Sequence, residues 1–340
     1  MAEILDTKPY VEHDPLIGHR YVPNTGRTLP RPGGGQYKII INSAGIRSAR
    51  EYAKSKPAGT FRILVFGDSY AAGQFVSNDQ RFTELLERRV SVLEVINFGL
   101  EGTGTDQQLL IYENVARDYE HDLVILFPFL QNIRRNMVAA RVARDPKTGK
   151  EVLRHKARFE LRDGALEWKN VPVPKKGIEI VDATDVALEK TDADRGASNR
   201  IKAVISRSSL GRALKRVAFA LKPWEPFPEY RSATTSEWRL MEAILSRFHA
   251  RVAPRPFVIV PVFYDSYVRF RMARNYLERF RSLESAGVHV IDLLPHFRRL
   301  GREASRCFQE PYDCHFSPYG HLVVAEALQD ELTRLKLLPA

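Results

Sequence analysis

Apolar runs recur along the chain at intervals, and several close on glycine or on a small polar residue. In "RILVFGDSY" the residues Ile63, Leu64, Val65 and Phe66 follow one another without a polar break. Such a run reads as a strand buried on both faces. Four more runs have the same character: "EVINFG" (94–99), "DLVILFPFL" (122–130), "RPFVIVPVFYD" (255–265) and "GVHVIDLLP" (287–295). Between them the apolar spacing changes to that of a helix. Phe82, Leu85, Leu86 and Val90 share one predicted face, and Leu109, Leu110, Tyr112 and Val115 share another. An arginine-rich helix separates the last two strands, and Leu322, Val323, Ala325 and Leu328 mark a C-terminal helix. Strand and helix in regular alternation predict parallel strands joined by crossover helices. The expected fold is α/β, a doubly wound parallel sheet of about five strands, with its core in residues 61–136 and 237–340.

Residues 137–236 break the alternation. "RFELRDGALEWKNVPVP" predicts a β-hairpin turning at Asp163-Gly164. Residues 199–222 then read as a basic amphipathic helix. Ile201, Val204, Ile205, Leu210, Leu214, Val217 and Leu221 lie near helical spacing, with Lys202, Arg207, Arg212, Lys215 and Arg216 among them. The segment is expected to be an inserted hairpin-plus-helix lid; weak contact of the helix with an anionic membrane surface is the alternative. The first 60 residues, rich in Pro and Gly, are expected to wrap the core as an extended N-terminal arm.

Composition narrows the partners. The net charge of +11 over 340 residues invites a nucleic-acid reading. Its arginines are scattered through helical segments, however, and no nucleic-acid-reading motif accompanies them, so no nucleic-acid partner is expected. No run reaches the length a membrane helix needs. The start, "MAEILDTKPYVEHDP", lacks the apolar stretch of a secretory signal, which makes the cytoplasm the default expectation. Cys307 and Cys314 cannot build a disulfide framework and are expected to be reduced. Neither a CxxC spacing nor a Cys/His cluster is present, so no metal and no cofactor are expected.

Chemistry converges on the strand ends. In open α/β sheets, ligands sit outside the carboxyl ends of the strands. Three successive ends carry Ser69, then Gly102 in "GLEGTGTDQ", then Asn132 after "DLVILFPFLQ". A serine, a glycine turn and an asparagine side by side supply a nucleophile, a backbone N–H and a side-chain amide. The base comes from "EPYDCHFSPYGHLVVAEAL", where Asp313 and His315 precede a helix. His321, within that helix, reads as structural.

"VFGDSYAAG", "NFGLEGTGTDQ", "FLQNIRRN" and "DCHFSPYGH" resemble, in order, the four blocks of the SGNH (GDSL-type) hydrolase superfamily. Two further segments, "NSAGIR" (42–47) and "NVPVP" (170–174), are similar to those of a bacterial branch linked to polysaccharide and glycan acylation. The resemblance implies Ser69 as nucleophile, His315 as base and Asp313 as its orienting acid. It also implies an oxyanion hole of the Ser69 and Gly102 N–H groups and the Asn132 amide. Two positions depart from the pattern: acid and base are spaced D-x-H rather than D-x-x-H, and Ile133 replaces an Asp found in many relatives. The implied activity is a serine esterase cleaving a small acyl group, an O-acetyl ester on a carbohydrate. An O-acyltransferase sharing the acyl-enzyme and a non-catalytic glycan-binding module are the alternatives.

Overall fold

Residues 11–41, expected as an extended arm, fold instead as two antiparallel hairpins. The computed structural model describes residues 10–144, 151–175, 178–179 and 223–339. Strand β1 (Val11–Asp14) pairs with β2 (Gly18–Tyr21), and β3 (Thr25–Pro30) pairs with β4 (Gln36–Ile41). The first turn is closed by Asp14, whose Oδ1 accepts the N–H groups of Leu16 and Ile17, each at 2.8 Å. Tyr37, Ile39 and Ile41 are buried and alternate with the more exposed Gln36, Lys38 and Ile40, so β4 carries the period of a half-buried strand.

The core sheet contains β5 (Phe61–Gly67), β6 (Leu93–Asn97), β7 (Leu123–Phe127), β13 (Phe257–Ile259) and β14 (His289–Val290). Their order across the sheet is β6-β5-β7-β13-β14, and every pairing is parallel. By order in the chain this is 2-1-3-4-5, the flavodoxin-like doubly wound arrangement, which reverses direction between β5 and β7. Both faces of the sheet are covered. Phe66 stacks on Phe98 and meets Tyr112 and Phe248 edge-on, with ring centroids at 5.4, 5.7 and 5.5 Å. Phe127, one residue beyond the register partner of Phe66 and so on the opposite face, packs against Phe82 at 4.7 Å.

Among the described residues the α-helices are α1 (Ser69–Ala72), α2 (Phe82–Arg89), α3 (Thr105–Ile111), α4 (Asn132–Arg135), α5 (Ser236–Val252), α6 (Asp265–Arg269), α7 (Asn275–Arg281), α8 (Leu294–Arg299) and α9 (Pro318–Arg334). Helix α3 runs into a π turn, Tyr112–Ala116, closed by the Arg117 N–H on Tyr112 O at 3.0 Å. The extra residue in this turn shifts the helical phase of its side chains. Val115, expected in the core, is therefore exposed.

The apolar runs are longer than the strands they produce. Pro128 and Pro261 donate no N–H and end the regular ladders of β7 and β13. Extended pairing nevertheless continues past them: Val262 N–H donates to Pro128 O and Leu130 N–H to Val262 O, both at 3.0 Å.

Within residues 137–236, β8 (Ala140–Arg144), β9 (Glu151–His155) and β12 (Ile178–Glu179) form a small antiparallel sheet. Strands β10 (Arg158–Arg162) and β11 (Ala165–Lys169) form the hairpin about Asp163 and Gly164, whose φ values of 48° and 80° are those of a type I′ turn. Lys156 reaches down to a buried ion pair with Asp106 on α3, which fastens this region to the core. The basic helix expected at 199–222, with its lid and membrane roles, lies outside the described residues. Among the described residues, no helix is long and apolar enough to cross a membrane.

His321 on α9 is buried, and its Nδ1 accepts the Phe82 N–H at 3.3 Å. Burial first, then the nearby charges of Arg81, Arg47 and His315, push its pKa from 6.5 down to about 3. The unfolded chain therefore binds a proton that the folded chain refuses. Stability is fully present above pH 6.5 and falls as the pH drops toward 3. Urea unfolding followed from pH 7.5 to 4.5 should show no difference in slope above pH 6.5 and, below it, a His321→Gln variant losing about 1.4 kcal/mol less per pH unit than the wild type. Equal slopes would remove His321 as the source of acid lability.

Candidate active site

Strand β5 ends on Gly67, and the chain turns within two residues into α1. A Cβ at Gly67 would stand 2.6 Å from the Ala71 Cβ and 3.0 Å from Phe127 O, so only glycine permits so tight a turn. Asp68 caps the helix, its Oδ1 accepting the Tyr70 N–H at 3.1 Å. Ser69 is the first helical residue and is buried.

His315 arrives on the loop between residues 301–307 and α9. That loop is closed by a bridge between Phe308 and Phe316 and by the Gln309 N–H on His315 O at 2.9 Å. The Gln309 amide donates to Phe316 O at 3.0 Å and to Gln74 O at 3.2 Å, linking the loop to the segment just after α1. Tyr70 Oη donates to Cys314 O at 3.1 Å, and its ring lies 4.7 Å from the imidazole.

The imidazole stands between two partners. Asp313 Oδ1 accepts the His315 backbone N–H at 2.9 Å and also faces Nδ1 of the ring. A single intervening residue lets one carboxylate oxygen hold both groups, which is how the D-x-H spacing closes. Burial pushes the Asp313 carboxyl up, but the hydrogen bonds and charge of His315 outweigh it and hold the pKa below 3.8. The ionised carboxylate only accepts, so Nδ1 carries a proton, and in the neutral ring Nε2 is then the acceptor. The Ser69 hydroxyl lies 2.7 Å from that Nε2.

Asn132 and Gly102 flank this line on the neighbouring strand ends. Asn132, fully buried, opens α4 beyond β7; its Oδ1 accepts from Arg135 at 3.4 Å, and its Nδ2 faces Thr105 Oγ1 at 3.5 Å. Gly102 lies in the turn beyond β6 with φ of 79°, a conformation that favours glycine. The turn is tied to the end of β5 by the Leu100 N–H on Gly67 O at 3.0 Å. No hydrogen bond joins Asn132 or Gly102 to Ser69. The Ser69 and Gly102 N–H groups donate to no acceptor among the described residues.

Residues unforeseen in the sequence complete the surroundings. Asp68 Oδ2 forms a buried ion pair with Arg135 at 2.7 Å, and the same guanidinium nitrogen reaches Asn132. The turn that presents Ser69 and the helix opened by Asn132 thus share one cation. The signal was local: Arg135 stands three residues after Asn132, one helical turn on. Asp313, Cys314 and His315 also bring three metal-ligand atoms within 4.8 Å of one another. Both ring nitrogens of His315 are engaged, and burial pushes the Cys314 thiol up to about 12, so the group is poorly suited to a metal.

No family model and no curated protein matches the chain. Among solved structures, it is similar to a member of the lipolytic protein G-D-S-L family from Veillonella parvula, 13% identical, covering 81% of this chain and 100% of that one with a TM-score of 0.43. A lipase/acylhydrolase from Enterococcus faecalis is 14% identical, covering 81% of this chain and 96% of its own, with a TM-score of 0.41. A salicylyl-acyltransferase from a tetracycline biosynthetic pathway is 14% identical over 84% of this chain and 58% of its own, with a TM-score of 0.42.

Removing one member of a buried ion pair strands the other. Arg135→Met should therefore cost about 3–5 kcal/mol in chemical denaturation, and adding Asp68→Asn to it should restore most of the loss. Strictly additive losses would mean that the two groups do not interact.

Proposed function

We propose that the chain is a serine acyl-ester hydrolase of the SGNH type that works through an acyl-enzyme on Ser69. One observation carries the reading: the unbroken line from Ser69 Oγ to His315 Nε2 at 2.7 Å, and from His315 Nδ1 to Asp313. The hydroxyl attacks the ester carbonyl carbon while its proton passes to Nε2. Asp313 holds the tautomer and stabilises the imidazolium that results. The oxygen that becomes negative is received by the N–H groups of Ser69 and Gly102 and by the Asn132 amide. Collapse of the tetrahedral intermediate breaks the bond to the alkoxy oxygen, which takes the proton back from Nε2 as the alcohol leaves. Water then repeats the sequence on the acyl-enzyme and releases the carboxylic acid. The proposed substrate is a small acyl ester, O-acetyl on a carbohydrate. Its sugar half comes from the sequence resemblance, through "NSAGIR" and "NVPVP".

An ester screen comparing the wild type with Ser69→Ala tests the reading, beginning with aryl acetates and acetylated sugars. Ser69→Ala and His315→Ala should each abolish turnover and fluorophosphonate labelling, and the double variant should be little worse than either. Persisting turnover in Ser69→Ala would sink the proposal. Asp313→Asn should fold normally and lose roughly 10⁴ in kcat.

Asn132→Ala should lose about 10²–10³ in kcat with KM little changed. A variant that loses thermal stability and keeps kcat would make Asn132 a structural residue.

A further inference from the structure

We propose that His19, on the N-terminal hairpin, is a positioning residue for the oxyanion donor at Gly102. The inference rests on the reading of the Gly102 N–H as such a donor. His19 Nε2 lies 2.7 Å from Glu101 O. A carbonyl only accepts, so Nε2 carries the proton and donates it.

The Glu101 carbonyl and the Gly102 N–H belong to one peptide unit, which is planar and trans. In that geometry the C=O and the N–H point in opposite directions. A hydrogen bond that fixes the carbonyl therefore fixes where the N–H is aimed. It also polarises the amide, which strengthens the N–H as a donor.

The hold is needed because glycine leaves this peptide plane free to rotate. Gly102 sits at φ 79°, in a turn whose own hydrogen bonds involve Leu100 and Thr103. Further restraints come from outside the core sheet. Tyr10 Oη donates to the buried Glu101 carboxylate at 3.2 Å, and Arg141 on β8 grips Gly102 O. His19 alone among these acts on the carbonyl that shares a plane with the proposed donor.

Three variants separate the hydrogen bond from the bulk of the ring. His19→Phe keeps the ring and removes the donor, His19→Ala removes both, and His19→Gln returns an N–H to a similar place. Kinetics on an ester cleaved in a Ser69-dependent manner should show kcat about 10- to 100-fold lower in the Phe and Ala variants, with KM little changed. That is short of the roughly 10²–10³ lost when an oxyanion donor is deleted outright. His19→Gln should recover most of the rate. Affinity for a trifluoromethyl ketone, whose adduct with serine carries the oxyanion, should fall by the same factor as kcat/KM.

Normal ketone affinity in His19→Phe, or full activity in that variant, would overturn the proposal while leaving the acyl-enzyme intact. Rate loss that tracks thermal destabilisation, and that His19→Gln does not repair, would overturn it as well. Activity that survives Ser69→Ala would instead remove the reading on which it stands.

Discussion

A carboxylate with no exposed surface stands directly before the serine, and a buried charge persists only where a partner meets it. Arg135 meets Asp68, and much of the rim depends on that pairing. Asp68 is already committed as the cap of α1, so the cation cannot move without disturbing the turn that presents Ser69. The same cation touches Asn132, so the ends of β5 and β7 are braced against each other. These strands are neighbours because the sheet reverses its winding between them, and that crevice is where a doubly wound sheet receives ligands. A hydrophobic sheet alone would set the strands side by side; the ion pair sets the relation between their polar ends.

The imidazole is placed by quite different means. No strand of the sheet carries His315. Its loop is closed on itself by Gln309 and anchored to α1 through Gln74 and Tyr70. Asp313 then fixes the ring by holding both its Nδ1 and the backbone beside it. Hydroxyl, imidazole and carboxylate therefore come from two segments that meet only in the folded chain, each held by its own hydrogen bonds.

What was legible in the sequence was local. Four apolar residues before Gly67 betray a buried strand, and the small polar residues after it betray the rim. Asp163-Gly164 announces its turn because few residues accept two successive positive φ values. Contacts between distant segments left weaker traces. Asp68 and Arg135 are 67 residues apart, and His19 and Glu101 are 82 apart. Neither pair has a period or spacing to betray it. The N-terminal hairpins were hidden by their Pro and Gly content, although Tyr37, Ile39 and Ile41 kept the alternation of a strand. Val115 was misplaced for a purely geometric reason, since one π turn is enough to rotate a helical face away from the core.

Ser69 and His315 are separated by 246 residues, and the strands of the core sheet that lie between and around them pair only in parallel. Such non-local pairing is slow to assemble, because each contact must first close a long loop. Until the last segment docks, Ser69 is an ordinary hydroxyl with no base beside it. On the proposed mechanism, a chain still emerging from synthesis, or trapped half-folded, would be chemically silent toward the esters around it. On that mechanism, reactivity at this serine would report the completion of folding as much as the presence of the residue.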